Sequence, residues 1–220
     1  MELPVKFLWT HDAFRVGEDG PTHQPIEQEA QLRLLEKVHN HSGRAGFLAL
    51  RPADSAETTV AWKMAIENTK TPTGLILTRQ NISEVVDYTA ALNAEKGAYV
   101  ACEPEAKPEL IIIANGSEVG SCDEVIKLLP GKNIRLVSVP SEGLFRAQSQ
   151  KYQDEILPPG VPRFGVTAGL AVNLLGLVGD INRIHGLDHF GFSAPYQKLD
   201  QQFGFTAENL AQKIKDIMLK

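Results

Sequence analysis

The sequence predicts an α/β protein in two successive units: a partial parallel sheet, then a mostly parallel, mixed-sheet, three-layer α/β domain. Three observations predict it. Apolar runs of strand length alternate with stretches of helical spacing from Val5 to Gln80, and such alternation implies parallel strands covered by helices. The pattern fades between Gln80 and Pro108, where "EPEAKP" is charged and proline-rich, as linkers are. It resumes at "ELIIIA" and continues to the C-terminus. The expected boundaries are 1–82 for the first unit, 83–107 for the linker and 108–220 for the second unit, whose size is common for one domain.

Each element has its own reason. Val5 to Thr10 is a short apolar run, expected as a strand buried on both faces. "PIEQEAQLRLLEKV" places Ile26, Ala30, Leu34 and Val38 at helical spacing, with Pro25 suited to a first turn. "FLALRP" is a strand stopped by Pro52, and "SAETTVAWKMAIENT" a helix capped by Asp54 or Ser55. "PTGLILTR" is a third strand, and "GAYVAC" reads as one more. In the second unit "ELIIIA", "NIRLVSVP" and "RFGVTA" are strands, and "DHFGF" reads as a short one. "LAVNLLGLVGDI" is an apolar helix or a buried segment, and "SEVGSCDEVIKLL", "LFRAQSQKYQDEI", "PYQKLDQQF" and "TAENLAQKIKDIMLK" are helices, the last opened by Thr206 and Asn209 in a loose capping pattern.

Composition narrows the function classes. A net charge of −5 argues against a nucleic-acid partner, because phosphate binding rests on Lys and Arg. No apolar run approaches the roughly 20 residues that span a bilayer, so no membrane partner is expected. Cys102 and Cys122 form neither a CxxC pair nor a disulfide framework and read as reduced thiols of a cytoplasmic protein.

The chemistry concentrates in "GEDGPTHQP", Gly17 to Pro25. Ligands of parallel sheets bind beyond the carboxyl ends of the strands. His11 and Asp12 end the first strand, Thr78 and Arg79 end the third, and this loop leads out of the first. Gly17 and Gly20 permit positive φ, while Pro21 and Pro25 stiffen the loop. Singly, Asp19 and Thr22 could cap a helix and His23 could bond backbone. Together, two histidines, a carboxylate and an arginine at one rim suit a polyhydroxylated anion.

"THDAFRVGEDGPTHQPIE", "LRPADSAET" and "TPTGLILTRQN" resemble the transketolase family, as do "GSEV", "VPSEGLF" and "HFGFSAPYQKLDQQFGFT". The resemblance implies the later part of the thiamin-fold pyrimidine-binding domain followed by the family's C-terminal domain. It implies transfer of a two-carbon ketol unit between sugar phosphates of the xylulose 5-phosphate and ribose 5-phosphate class, in the pentose phosphate pathway. The cofactor would be thiamine diphosphate with Mg²⁺ or Ca²⁺ in a full-length homodimer. By the same resemblance His11 lies at the substrate-phosphate end and Asp19 takes a sugar hydroxyl and sets donor stereochemistry. His23 sits by the reacting carbons as a catalytic and substrate-binding residue, and Arg79 binds phosphate. Thr78 stands where the family has serine.

The family's diphosphate and metal ligands, and its activating glutamate, lie upstream of "THD". The chain is therefore expected to be a fragment that binds no cofactor or metal and is inactive alone. The alternatives are a separately encoded C-terminal subunit of a two-subunit transketolase, or a non-catalytic module for sugar-phosphate binding or dimerisation. Weaker signals stay open. "IIIANGSEVGSCDEV" could cradle an anion or be a plain strand-to-helix turn. His39 and His41 could ligate a metal or sit in a solvated loop. His185 and His189 read as structural or surface residues, and "LAVNLLGLVG" as core or subunit contact.

Overall fold

A computed structural model describes residues 2–218 of the chain. The first unit runs β1 (Lys6–Trp9), α1 (Gln28–Leu35), β2 (Leu48–Leu50), α2 (Ser55–Glu67) and β3 (Thr73–Ile76). Its three strands are all parallel, in the order β1-β3-β2. Asp54 caps α2, accepting from the Glu57 amide at 3.0 Å. Gly74 is fixed by close approach: a Cβ there would stand 2.5 Å from the Trp9 ring and 2.7 Å from the Phe47 ring.

Two readings of this unit are corrected. β1 is the exposed edge of its sheet, with Phe7 40%, Leu8 50% and Trp9 38% exposed, so an apolar run did not mean burial on both faces. Helix α1 is inverted. Ile26 is buried just ahead of it, but Leu34 and Val38 are each 60% exposed, and the inward face carries Glu29, Arg33 and Glu36. These three find charged partners in the interior, which outweighs the apolar periodicity.

The segment read as a linker is largely built. It holds α3 (Tyr88–Ala91), capped by Asp87, a 3₁₀ turn (Leu92–Lys96) and β4 (Tyr99–Cys102). β4 is the antiparallel edge of the second sheet. Then follow β5 (Leu110–Ala114), α4 (Glu118–Lys127), β6 (Ile134–Ser138), α5 (Glu142–Arg146), α6 (Gln150–Ile156), β7 (Arg163–Leu170), α7 (Val172–Val178), β8 (Ile184–Leu187), α8 (Tyr196–Phe203) and α9 (Ala207–Met218). The sheet order is β4-β6-β5-β7-β8, with every pairing parallel except that of β4.

β5 is central and wholly buried, and its period of two separates the layers. Leu110, Ile112 and Ala114 pack towards α4 and α9, whereas Ile111 and Ile113 pack towards α5, α6 and α7. This is the expected three-layer, mixed-sheet architecture. The strand expected at "DHFGF" is instead a loop, and the true edge strand, β8, lies just before it. The long helix expected over "LFRAQSQKYQDEI" divides in two because Ser149 caps α6, its hydroxyl accepting from the Tyr152 amide. The loose capping pattern before α9 forms, with Thr206 Oγ1 accepting from the Asn209 amide at 3.3 Å.

The two sheets share one core. Phe14, Ile26, Ala53 and Val60 of the first unit pack in the same cluster as Leu110, Val166, Leu199 and Leu210 of the second. The rim of the first sheet therefore abuts the second unit. Among the described residues no helix is long and apolar enough to cross a membrane.

Candidate functional site

The rim begins where β1 and β3 end side by side, with Trp9 opposite Ile76. Leu77 N donates to Trp9 O and Asp12 N to Leu77 O, so the chains carrying His11 and Arg79 leave the sheet together. His11 (φ 70) and Ala13 (φ 50) are the only non-glycine residues with positive φ among those described. A histidine held in the left-handed region costs conformational energy, so something must fix the turn. Asp12, between them, is buried and accepts from Arg51 Nε at 2.7 Å.

The loop after this turn behaves as its glycines suggest. Gly17 has φ 91 and Gly20 φ 81, conformations that L side chains rarely adopt. A Cβ on Gly17 would also press to 3.2 Å from the Ala194 carbonyl of the second unit. Pro21 then opens a 3₁₀ turn, Pro21–His23, and Pro25 lies ahead of α1 rather than in its first turn.

His11 and His23 line one open cleft of about 760 Å³, together with Thr10, Thr22, Gln28 and Phe190. His11 Nδ1 bonds Thr10 Oγ1 at 2.7 Å, and His23 Nδ1 bonds Thr22 Oγ1 at 3.0 Å. Each ring thus keeps its second nitrogen for a ligand. Asp19 and Arg79 are exposed and do not line this cleft; Asp19 lies on the same loop, and Arg79 three residues beyond the end of β3. The structure brings the two histidines together and leaves the carboxylate and guanidinium at the periphery.

The residues that hold this rim were not visible in the sequence reading. Arg51 also donates through Nη1 to Glu118 Oε2 at 2.6 Å and to Asn115 Oδ1 at 2.8 Å. Arg15 donates to Glu118 Oε1 at 2.7 Å and Asp200 Oδ1 at 2.8 Å. Arg33 binds Glu29 and Glu36, while Asn115 and Asn173 donate to Glu29. Ser141 Oγ donates to Glu36 at 3.0 Å. Five carboxylates thus surround three guanidiniums across the junction of the units. Burial raises the Asp12 carboxyl above its ordinary value, against the pull of Arg51. Burial also opposes ionisation of Glu118, but Arg51 and Arg15 outweigh it and hold that carboxyl below its ordinary value. The one available signal was the Glu29, Arg33, Glu36 spacing, which puts three charges on one helix face.

The same network settles the turn after β5. Glu118 itself occupies the start of α4 and accepts from the Ala168 amide, so this is a structural strand-to-helix turn. His39 and His41 belong to no metal-binding group: among the described residues no three His, Cys, Asp or Glu side chains are placed to hold an ion. His185 is buried against Lys213 at 2.9 Å, and burial lowers it to about 4. His189 is exposed and bonded to Phe190 O. In α7, Asn173, Leu174 and Leu177 are buried, so one face of that helix is core, while Val172 is 50% exposed. Both cysteines are free thiols.

A two-unit α/β protein with a histidine-lined cleft, clamped at its junction by buried ion pairs, belongs to the class whose ligands bind at a sheet's carboxyl rim. The family model for the transketolase pyrimidine binding domain matches residues 1–84, and that for the transketolase-like C-terminal domain matches residues 97–206. The chain belongs to the transketolase family. A probable transketolase of Streptococcus pneumoniae is 42% identical over 218 residues, covering 98% of this chain and 32% of the relative. A Pichia stipitis transketolase mutant solved in complex with xylulose 5-phosphate is 34% identical, with a TM-score of 0.86 over 99% of this chain and 30% of its own. A split-gene transketolase solved as an inactive beta4 tetramer shares the fold at 21% identity, with a TM-score of 0.73 over 99% of this chain and 68% of its own. The chain thus spans about a third of the length of the curated relatives it matches.

Proposed function

We propose that this chain forms the sugar-phosphate side of a transketolase, which moves a two-carbon ketol unit from a ketose phosphate to an aldose phosphate. The observation that carries the reading is the cleft in which His11 and His23 meet on the family's own "THD" and "GEDGPTHQP" segments. In this account His11 takes the phosphate end of the substrate and Arg79, exposed beyond β3, completes the anion site. Asp19 accepts from a sugar hydroxyl. His23 bonds the oxygen next to the reacting carbons and moves its proton, a task suited to an imidazole. The cofactor, thiamine diphosphate held by Mg²⁺, would stabilise the carbanion that forms; its ligands would come from outside the described residues. Division at 1–82 and 108–220 agrees with the separate sheets, though β4 attaches part of the intervening segment to the second unit. Assembly as a homodimer is supported by the apolar surface on β1 and α1, and a cytoplasmic location by the free thiols.

A second reading has one observation in its favour. The chain covers 68% of the split-gene transketolase but only about a third of the curated relatives, so a separately encoded subunit is the alternative, with or without catalysis. The first reading requires phosphosugar binding. Titration calorimetry with ribose 5-phosphate tests it: the chain should bind saturably, and Arg79→Ala should weaken binding about tenfold or more while leaving unphosphorylated ribose unaffected. Equal losses for both sugars would remove Arg79 from the phosphate site, and no binding by the unaltered chain would overturn the proposal.

A further inference from the structure

The cleft has a wall from the second unit. The loop "DHFGFS", residues 188–193, reaches across to "GEDGPTHQP" and is fixed there at several points. Gln24, buried in the motif, donates from Nε2 to Gly17 O at 3.0 Å and to Phe192 O at 2.8 Å, so one side chain holds both loops. Ser193 Oγ donates to Glu18 O at 2.6 Å. Gly191 lies so close that a Cβ would fall on Gln24 Oε1. Around this joint, His189 packs on Phe192 at 6.0 Å and on Phe203 at 5.2 Å, and Phe203 meets the Phe14 ring edge-on at 5.1 Å.

Phe190 stands apart from this cluster. His189 and Phe192, the latter 54% exposed, each pack on aromatic neighbours, whereas Phe190 lines the cleft with His11 and His23 and is 61% exposed. A phenyl ring left in water forgoes a large apolar contact, and here a clamped loop holds it in that position. The rest of the cleft offers the polar side chains of Thr10, His11, Thr22, His23, Glu27 and Gln28 beside the rings of Pro21 and Pro25. A phosphosugar has both characters. Its hydroxyls and phosphate need polar partners, while the C–H edge of its carbon chain gains by leaving water.

We propose that Phe190 is a specificity-determining residue, whose ring takes the C–H face of the sugar chain while His11 and His23 take its polar groups. Gln24 and Gly191 are the positioning residues that hold the ring there. This deepens the sugar-phosphate reading and rests on it.

The test compares two probes on the 220-residue chain by NMR titration: ribose 5-phosphate, which presents a carbon chain, and inorganic phosphate, which does not. Phe190→Ala should raise the ribose 5-phosphate Kd about fivefold and leave the phosphate Kd unchanged. Phe190→Trp should retain sugar affinity. Gly191→Ala, which displaces the loop from Gln24, should behave as Phe190→Ala. Because Phe190 is exposed, its variants should keep the backbone amide spectrum outside residues 188–193. Equal sugar affinity for wild type and Phe190→Ala would overturn this inference and leave the sugar-phosphate reading standing. Parallel loss of sugar and phosphate binding would make the ring a structural support and overturn it too. A wild type that binds phosphate but shows no preference for the phosphosugar would refute the wall. A wild type that binds neither would overturn both.

Discussion

Glu118→Gln is the sharpest probe of how the cleft is held. Glu118 is fully buried and accepts from Arg51 at 2.6 Å, Arg15 at 2.7 Å, Ser117 Oγ at 2.9 Å and the Ala168 amide at 3.1 Å. Glutamine keeps the shape but removes the charge, and turns an NH₂ towards a guanidinium that cannot accept from it. Arg15 keeps Asp200 and Arg51 keeps Asp12, so neither guanidinium is abandoned. Breaking one partner of such a buried group costs roughly 3–5 kcal/mol; the two surviving pairs place this change near 3. With a urea m-value of about 2 kcal/mol/M, the midpoint should fall by about 1.5 M. Fluorescence of Trp9 and Trp62 reports the transition. The pH dependence follows from the depressed Glu118 carboxyl. Its contribution is present above the ordinary 4.5 and is lost as pH falls through the lower folded-state value, so wild type and variant should converge in acid. A loss under about 1 kcal/mol at neutral pH, or a gap unchanged by acid, would refute the claim that ion pairs lock the units together.

The remaining predictions concern one side chain each. Asp19→Ala should erode the preference for xylulose 5-phosphate over its C3 epimer ribulose 5-phosphate, measured as a ratio of Kd values; an unchanged ratio would leave Asp19 a solvated loop residue. His185, lowered to about 4 by burial, binds fewer protons folded than unfolded between that value and 6.5. Stability should therefore fall as pH drops across this window, and His185→Gln should flatten the slope seen in urea melts. An identical slope in the variant would assign it to other groups.

What the sequence made legible was local. Asp54 before an apolar-periodic stretch gave a helix start, the glycines of "GEDGPTHQP" gave positive φ, and alternation gave the layers, because these depend on neighbours in the chain. Misreadings arose where distant residues decide. The apolar spacing in α1 ran through Leu34 and Val38, yet it is Glu29 and Arg33 that turn inward, to Asn115, Asn173 and the Pro140 carbonyl. β1 had the apolar content of a buried strand, but burial depends on what lies beside it. The cleft's histidines were given roles by motif, whereas Phe190 lay in a quoted motif without one, since its place depends on a cross-unit bond from Gln24.

The central claim is that this chain supplies the sugar-phosphate side of a ketol transfer whose metal-bound cofactor is held by residues outside those described. The direct measurement is a coupled assay of the pure 220-residue chain with thiamine diphosphate, Mg²⁺, xylulose 5-phosphate and ribose 5-phosphate. The account predicts turnover at background, because the diphosphate and metal ligands it invokes lie outside the described residues. Turnover above background from the chain alone would contradict it and place a cofactor site within this sequence.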